Sequence, residues 1–338
     1  MAEGFDISEA TLEWLLEPDN PSVRLNTLRF LLDRSEHDPD VLQSAGTINV
    51  SPPVKTILDL QEPGGHWAPE KSFYTGKYKS TVWTLLVLAE LGADARAERI
   101  QAACEFILEN DQHHASGGFS QQGGRNGGQV SDIIPCLTGN MLWVFVRFGY
   151  LDDPRVQSAI DWIVRYPRFD DGEGKVPSGW PCDNWEICWG LHTCHMGVVK
   201  TLKAFAEIPK EKRSKAIRQT IGRAAEFMLI HHIFKRSHNL ARVSKPGWKK
   251  FGFPLMYQTD VLEILNLQLD LGHRDPRMAE AVELVRAKQC DDDRWKLEYC
   301  YTTLVPVEKS GEASKWITMN ALRSLRRGHA ISGLAGSL

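Results

Sequence analysis

Helical segments in this chain are joined by links that alternate between short and long, and this alternation limits the fold more than any single motif. Apolar residues recur at three- and four-residue spacing in segments such as TVWTLLVLAELG, MLWVFVRFG, VQSAIDWIVRY, VVKTLKAFAEI and DVLEILNLQLDLG, about twelve in all. No run alternates as strands do. Pro154, Pro209 and Pro276 lie near helix starts, and Gly92, Gly149, Gly272 and Gly328 follow the last apolar turn of a helix. The short links are GADARAE, GYLDDPR and GHRDPR. The long ones are rich in glycine and aromatics and share a core in which glycine or a charged residue precedes an aromatic: Gly65 to Trp67, Gly118 to Phe119, Gly179 to Trp180, Gly247 to Trp248, and Asp293 to Trp295. This is an internal repeat of about 50 to 60 residues, the size of one helix pair plus its loop. A single pair cannot bury its own apolar face, so such pairs stack, as an open solenoid or as a closed ring.

Composition adds boundaries. With 338 residues the chain can bury a large core, and 42% hydrophobic against 25% charged residues is the balance of an ordinary globular protein. A net charge of −3 gives no reason to expect nucleic-acid binding. The opening MAEGFDISEA lacks the basic and apolar regions of a secretory signal, and no apolar run approaches the roughly 20 residues of a membrane span, so a cytoplasmic location is expected. Seven cysteines is an odd number, and reduced thiols are expected, some of them simple core fillers.

QEPGGHW, with QHHASGGF and KQCDDDRW as looser copies, resembles the glutamine-to-tryptophan repeat of squalene and terpene cyclases. The order of links over about residues 50 to 330 is similar to that of the prenyltransferase β-subunit and squalene-cyclase superfamily. The resemblance implies an all-α fold, an α/α toroid of about six helix pairs in inner and outer rings. Residues 1–50, with EPDNPSVRLNTLRFLLDR, look like a HEAT-type helical pair that packs on or closes the ring; 51–330 form the toroid and 331–338 a tail.

In that arrangement the helix after each long loop is an inner one, its N-terminal end at the cavity mouth. CLTG and CHMG both read Cys-x-x-Gly, which puts Cys136 and Cys194 at equivalent positions on successive inner helices. Thiols at helix N-termini favour the thiolate. Cys182, in GWPCD, and His192, in HTC, are the further ligands expected for Zn2+, with Cys188 and His195 in reserve. Protein prenyltransferases hold catalytic zinc through an Asp-x-Cys pair and a histidine in a segment similar to LHTCHMG, which implies His192 as a ligand here. The Asp-x-Cys part is absent, since DIIPC puts Asp132 four positions before Cys136. The competing reading makes these cysteines and histidines packing groups of a helical core.

Other polar starts lie at Tyr78 to Thr81, at Tyr257 to Asp260 and at Ser314 to Asn320. Asp260 and Tyr257 are the candidate catalytic residues, Asp260 because burial at an inner start raises a carboxyl; the alternative is an ordinary helix cap. Arg236, Arg242 and Lys315 are candidates for holding an anionic group such as a diphosphate, against a plain solvated basic segment. Trp83, Trp143 and Trp316, with Trp189, fall in first turns and are expected either to line an apolar cavity or to pack between helix layers. The cyclase acid motif Asp-x-Asp-Asp is absent, and Asp291 to Asp293 read as a solvated turn.

The expectation is therefore a zinc-containing enzyme acting on an isoprenoid or other long apolar substrate. The alternatives are a cyclase or lyase that uses Asp260 as general acid with a structural metal, and a non-catalytic toroid that binds a lipid or peptide. Protein prenyltransferases need an α-subunit; here neither a partner subunit nor a homodimer contact is visible in the sequence.

Overall fold

The computed structural model of the chain describes residues 6–184, 188 and 194–332. Its α-helices in chain order are α1 Glu9–Leu15, α2 Pro21–Phe30, α3 Pro39–Thr47, α4 Val54–Asp59, α5 Thr81–Leu91, α6 Glu98–Asn110, α7 Pro135–Arg147, α8 Pro154–Arg165, α9 His195–Glu207, α10 Lys215–Ile230, α11 Val261–Asp270, α12 Ala279–Arg286 and α13 Lys315–Ser332. Two short antiparallel strands, β1 Lys235–Arg236 and β2 Asn239–Val243, form a hairpin between α10 and α11.

Alternate helices pack side by side: α5 on α7, α7 on α9, α9 on α11, and α11 on α13. The circle closes through the N-terminal segment. Helix α13 packs on α2, Arg326 donates to the carbonyls of Phe30 and Leu31 at 3.1 and 2.9 Å, and Ser22 at the other end of α2 donates to Leu91 O of α5 at 2.6 Å. Helices α2, α5, α7, α9, α11 and α13 therefore form an inner ring, with α3, α4, α6, α8, α10 and α12 outside it. The fold is an α/α toroid. Burial follows position: α5 buries every residue except Glu90, whereas α8 buries only the stripe Val156, Ala159, Ile160, Trp162 and Ile163, as a helix with one covered face does.

The repeated loop motif has a structural cause. Thr81 at the start of α5 accepts from Trp67 N (3.0 Å) and donates to Trp67 O (3.1 Å). Thr138 of α7 accepts from Phe119 N at 3.0 Å, and Thr318 of α13 from Trp295 N at 2.9 Å. The loop aromatic is thus pinned by its backbone to an inner-helix threonine, while its ring fills the space toward the outer layer: Trp67 and Trp295 donate their indole N–H to Ile57 O and Val285 O of the preceding outer segments, both at 2.8 Å. Such bonds satisfy the indole inside an apolar layer.

Glutamine and glycine complete the clamp. Gln61 donates to Gly65 O and to Arg99 O at the start of α6; Gln112 does the same to Gly117 O and to Arg155 O at the start of α8. Gly65 and Gly117 have φ of +80° and +84°, and a Cβ there would lie 2.6 Å from Ala102 O and 2.3 Å from Ser158 O. Both conformation and space demand glycine. In the last copy Gln289 instead bonds Asp293 at 3.1 Å on the surface, and the motif has decayed accordingly.

Candidate functional site

The long loops place the starts of α7, α9 and α11 at one mouth of the ring. Pro135 opens α7 and Cys136 follows it, buried. Cys194 is the residue capping α9. The glycines of the two Cys-x-x-Gly segments explain why these helices lie so close. A Cβ on Gly139 would meet the carbonyl carbon of Lys200 at 2.7 Å, and one on Gly197 would meet the Pro135 ring at 2.9 Å. Each helix therefore presents a bare backbone to the other beside its own thiol.

Three thiols gather there. Cys188 donates a hydrogen bond to Cys194, which draws the Cys194 thiol down to about 7; burial opposes this, while the amides of Gly197 and Met196 and the ammonium of Lys245 assist it. The same bond, with burial, pushes Cys188 far above the usual thiol range. Cys136 is pushed up to about 12, by desolvation first and then by the charge of Cys194, with Lys200 opposing. Cys182 sits apart: burial raises it, and its charged neighbours are Arg168 and Asp183. His192 and Trp189 lie outside the described residues. Among the described residues no three His, Cys, Asp or Glu side chains form a group that could hold a metal ion.

Tyrosines line the approach. The Tyr78 ring lies 4.2 Å from that of Tyr301 and 5.1 Å from that of Trp83, and Trp83 lies 6.2 Å from Tyr257. Lys77 sets its ammonium 5.0 Å from the centre of Tyr74, 5.2 Å from Tyr257 and 5.9 Å from Trp83. A recess of about 330 Å³ opens between Lys245, Lys250, Gln258, Thr259, Tyr299 and Tyr301, with no carboxylate in its wall.

Asp260 lies beneath Tyr299. It caps α11, accepting from Glu263 N at 2.8 Å and from Gly252 N at 2.9 Å, and burial pushes its carboxyl up to about 7 against those two bonds. The Tyr299 ring lies so close over Gly252 that a Cβ there would come within 2.4 Å of it.

Further in, the ring holds buried charge. Lys200, fully buried, bonds both oxygens of Glu263 at 2.8 and 3.0 Å; Lys203 bonds Glu263 at 3.2 Å and also Glu90. Burial works to raise the Glu263 carboxyl, but the two lysines hold it at about 2. This network borders a central cavity of about 320 Å³, whose wall also includes Trp143, Arg147, Glu207, Asp270 and Trp316.

The remaining expected residues are dispersed. Trp83 and Tyr257 stand at the mouth; Trp143, donating to Glu207 at 3.2 Å, and Trp316, stacked on Phe253 at 4.2 Å, border the central cavity. Lys315 is engaged by Glu17 and Asp19 of the N-terminal segment at 2.6 and 2.7 Å. Arg236 and Arg242 lie on the exposed hairpin. His195 packs among His231, Phe227 and Trp248. Tyr299, Tyr301, Lys245 and the Lys200–Glu263 pair escaped the sequence reading, although the tyrosine density of LEYCYTT marks Tyr299 and Tyr301.

No protein-family model and no curated protein matches the chain. Among solved structures it is similar to an unsaturated glucuronyl hydrolase specific for heparin, at 12% identity and a TM-score of 0.48, covering 93% of this chain and 86% of that one. It is also similar to the GH76 α-mannanase BT2949 of Bacteroides thetaiotaomicron, at 12% identity, TM-score 0.46 and 95% and 87% coverage. A third is the type II terpene cyclase MstE from Scytonema, in complex with its substrate geranylgeranyl dihydroxybenzoate, at 15% identity, TM-score 0.38 and 93% and 88% coverage. Likenesses of this size assign no activity. No helix among the described residues is long and apolar enough to cross a membrane.

Proposed function

We propose that the chain is an enzyme that receives its substrate at the tyrosine-lined mouth and acts on it beside the thiols of Cys136, Cys188 and Cys194. What supports this most is the hydrogen bond that Cys188 donates to Cys194 at the start of α9, with the Lys245 ammonium close enough to favour the thiolate. Zinc is the proposed ion on the softness of the sulfurs at two neighbouring inner-helix starts; the described residues alone form no metal-holding group, so the reading requires a further ligand such as His192, which lies outside them. Cys136, Cys182, Cys194 and His192 remain the residues proposed to hold the ion, since the described thiols by themselves form no group that could. Bound zinc would supply Lewis acidity and keep the thiolates deprotonated at neutral pH.

The chain's own residues supply the rest. Tyr78, Trp83 and Tyr257 offer ring faces to an apolar part of a substrate, and Lys245 and Lys250 offer charge to an anionic end. Asp260 is buried, bonded by the Gly252 amide, and borders the central cavity. An isoprenoid substrate is proposed here only in a narrower form. The mouth aromatics would take an apolar segment, whereas Glu90, Lys203, Glu207 and Arg147 in the wall of the central cavity disfavour a long apolar chain there.

Metal analysis tests this reading: purified protein should carry about one zinc per chain, and Cys136→Ser or Cys194→Ser should lower it. Full zinc in both variants would remove the site. A second reading, a cyclase or lyase with Asp260 as general acid, is favoured by that carboxyl being half protonated near neutrality. It requires Asp260→Asn to abolish turnover while zinc content is unchanged. A non-catalytic toroid would show binding of a lipid or peptide and no turnover in either case.

A further inference from the structure

Lys77 is an exposed residue, yet its ammonium lies against three rings rather than in open water. It stands 5.0 Å from the centre of Tyr74, 5.2 Å from Tyr257 and 5.9 Å from Trp83, each within the distance at which a ring face attracts a cation. Among the described residues no carboxylate forms an ion pair with it.

The rings come from separate elements: Tyr74 from the first long loop, Trp83 from α5 and Tyr257 from the loop before α11. Two of these walls are fixed. Trp83 and Tyr74 are buried with their rings 5.0 Å apart, and the Trp83 indole donates to Tyr74 O at 2.7 Å. Tyr78 and Tyr301 make the rim: the Tyr78 ring lies nearly parallel to Tyr257 at 6.5 Å and stands 4.2 Å from Tyr301. The Tyr78 hydroxyl bonds those of Tyr257 and Tyr301, so these phenols satisfy one another and leave ring faces for an occupant.

A lysine ammonium is a weak occupant of such an enclosure. Ring faces do not replace the water that its N–H donors give up, and its flexible stem leaves it free to withdraw. A quaternary ammonium has no N–H to strand, and it spreads its charge over methyl groups that pack on the rings. We propose that Tyr74, Trp83 and Tyr257 form a cage for the quaternary ammonium group of a small-molecule ligand, and that Lys77 fills the cage until that ligand displaces it. The adjoining recess of about 330 Å³, which has Tyr301 in its wall, has the size of a small-molecule site and takes the remainder of the ligand. The proposal rests on the reading of this mouth as the entry for a substrate and narrows the group received there to a cation; it makes no use of the thiols.

Calorimetric titration of the full chain with choline, and with the neutral tert-butyl analogue in which carbon replaces the nitrogen, tests the cage. Saturable binding of choline is expected, with the neutral analogue and ethanolamine each bound at least about tenfold more weakly. Lys77→Ala removes the resident cation and should tighten choline at least about threefold. Tyr257→Leu should weaken choline at least about tenfold, whereas Tyr257→Phe, which keeps the ring face, should stay within about twofold of the parent. Cys194→Ser should bind choline as the parent does. Zinc lost with choline binding kept would remove the thiol reading alone, and zinc kept without choline binding would remove this one alone. Absence of choline binding, equal binding of the neutral analogue, or no tightening in Lys77→Ala would each overturn the cage.

Discussion

Gly139 of α7 lies directly against the backbone of Lys200 in α9, so close that a Cβ would stand 2.7 Å from the lysine carbonyl carbon. That contact sets the distance between Cys136 and Cys194, because each thiol stands three residues ahead of the glycine in its own helix. Gly139→Ala should force the two inner helices apart, at about 1 to 3 kcal/mol, the usual range for overpacking a filled interior. A lowered midpoint in urea, with zinc content falling alongside, is the expected result. A variant that unfolds with the parent would show that the helices do not approach so closely.

Lys200 and Glu263 form a fully desolvated pair, with Lys203 and Glu90 completing the network. Removing one partner from such a pair leaves a buried charge uncompensated. Glu263→Gln should therefore cost about 3 to 5 kcal/mol, whereas Lys200→Met combined with Glu263→Leu should recover much of that loss. Denaturant titrations of the single and double variants measure the difference, and a single variant as stable as the double one would contradict the pairing.

Asp260 and Glu263 share a helix turn and respond to pH in opposite senses. The Asp260 carboxyl is raised from 3.8 to about 7, so between those values the folded chain holds a proton that the unfolded chain releases. Its contribution to stability is complete below pH 3.8 and is lost as pH rises toward 7, by about 4 kcal/mol at most. Glu263 is lowered from 4.5 to about 2; its contribution is present above 4.5 and is lost as pH falls toward 2. From pH 5 to 7 stability should thus decline through Asp260. Asp260→Asn turns one acceptor toward Gly252 N–H into a donor and costs stability at every pH, but it should flatten that slope. Urea midpoints of parent and variant across this window decide the matter; parallel curves would place the carboxyl at its ordinary value.

The fold was legible because its repeat is made of short-range chemistry. Threonine, glutamine, glycine and a loop aromatic each make a bond or a close approach that recurs in register, as Thr81 with Trp67 and Thr138 with Phe119 do. The nearness of Cys136 and Cys194 was legible for the same reason, since Cys-x-x-Gly marks both thiol and crossing point. The tyrosines were not. Tyr78, Tyr299 and Tyr301 come from the first and last of the long loops, at positions outside the shared core, and only closure of the ring brings them to one mouth. Lys315 stands at an inner-helix start as expected, yet its ammonium is directed to Glu17 and Asp19, nearly three hundred residues away in the chain; no local pattern announces such a partner.

Cys194 and Cys188 give the thiol centre its own signature. Because Cys188 donates to Cys194, the latter should ionise near pH 7 rather than in the usual thiol range. In protein stripped of metal by a chelator, alkylation of Cys194 by iodoacetamide, followed by peptide mass mapping, should reach half its limiting rate near that pH. Cys188→Ala removes the donor and leaves burial unopposed by it, so the midpoint should move up toward or beyond 9, the ordinary thiol value. Cys136→Ala should change it far less, since Cys136 is not among the main influences on Cys194. Restoring zinc should suppress alkylation of Cys194 in the parent. A midpoint that stays near 9 in the parent and does not move in Cys188→Ala would show that the two sulfurs do not share a proton.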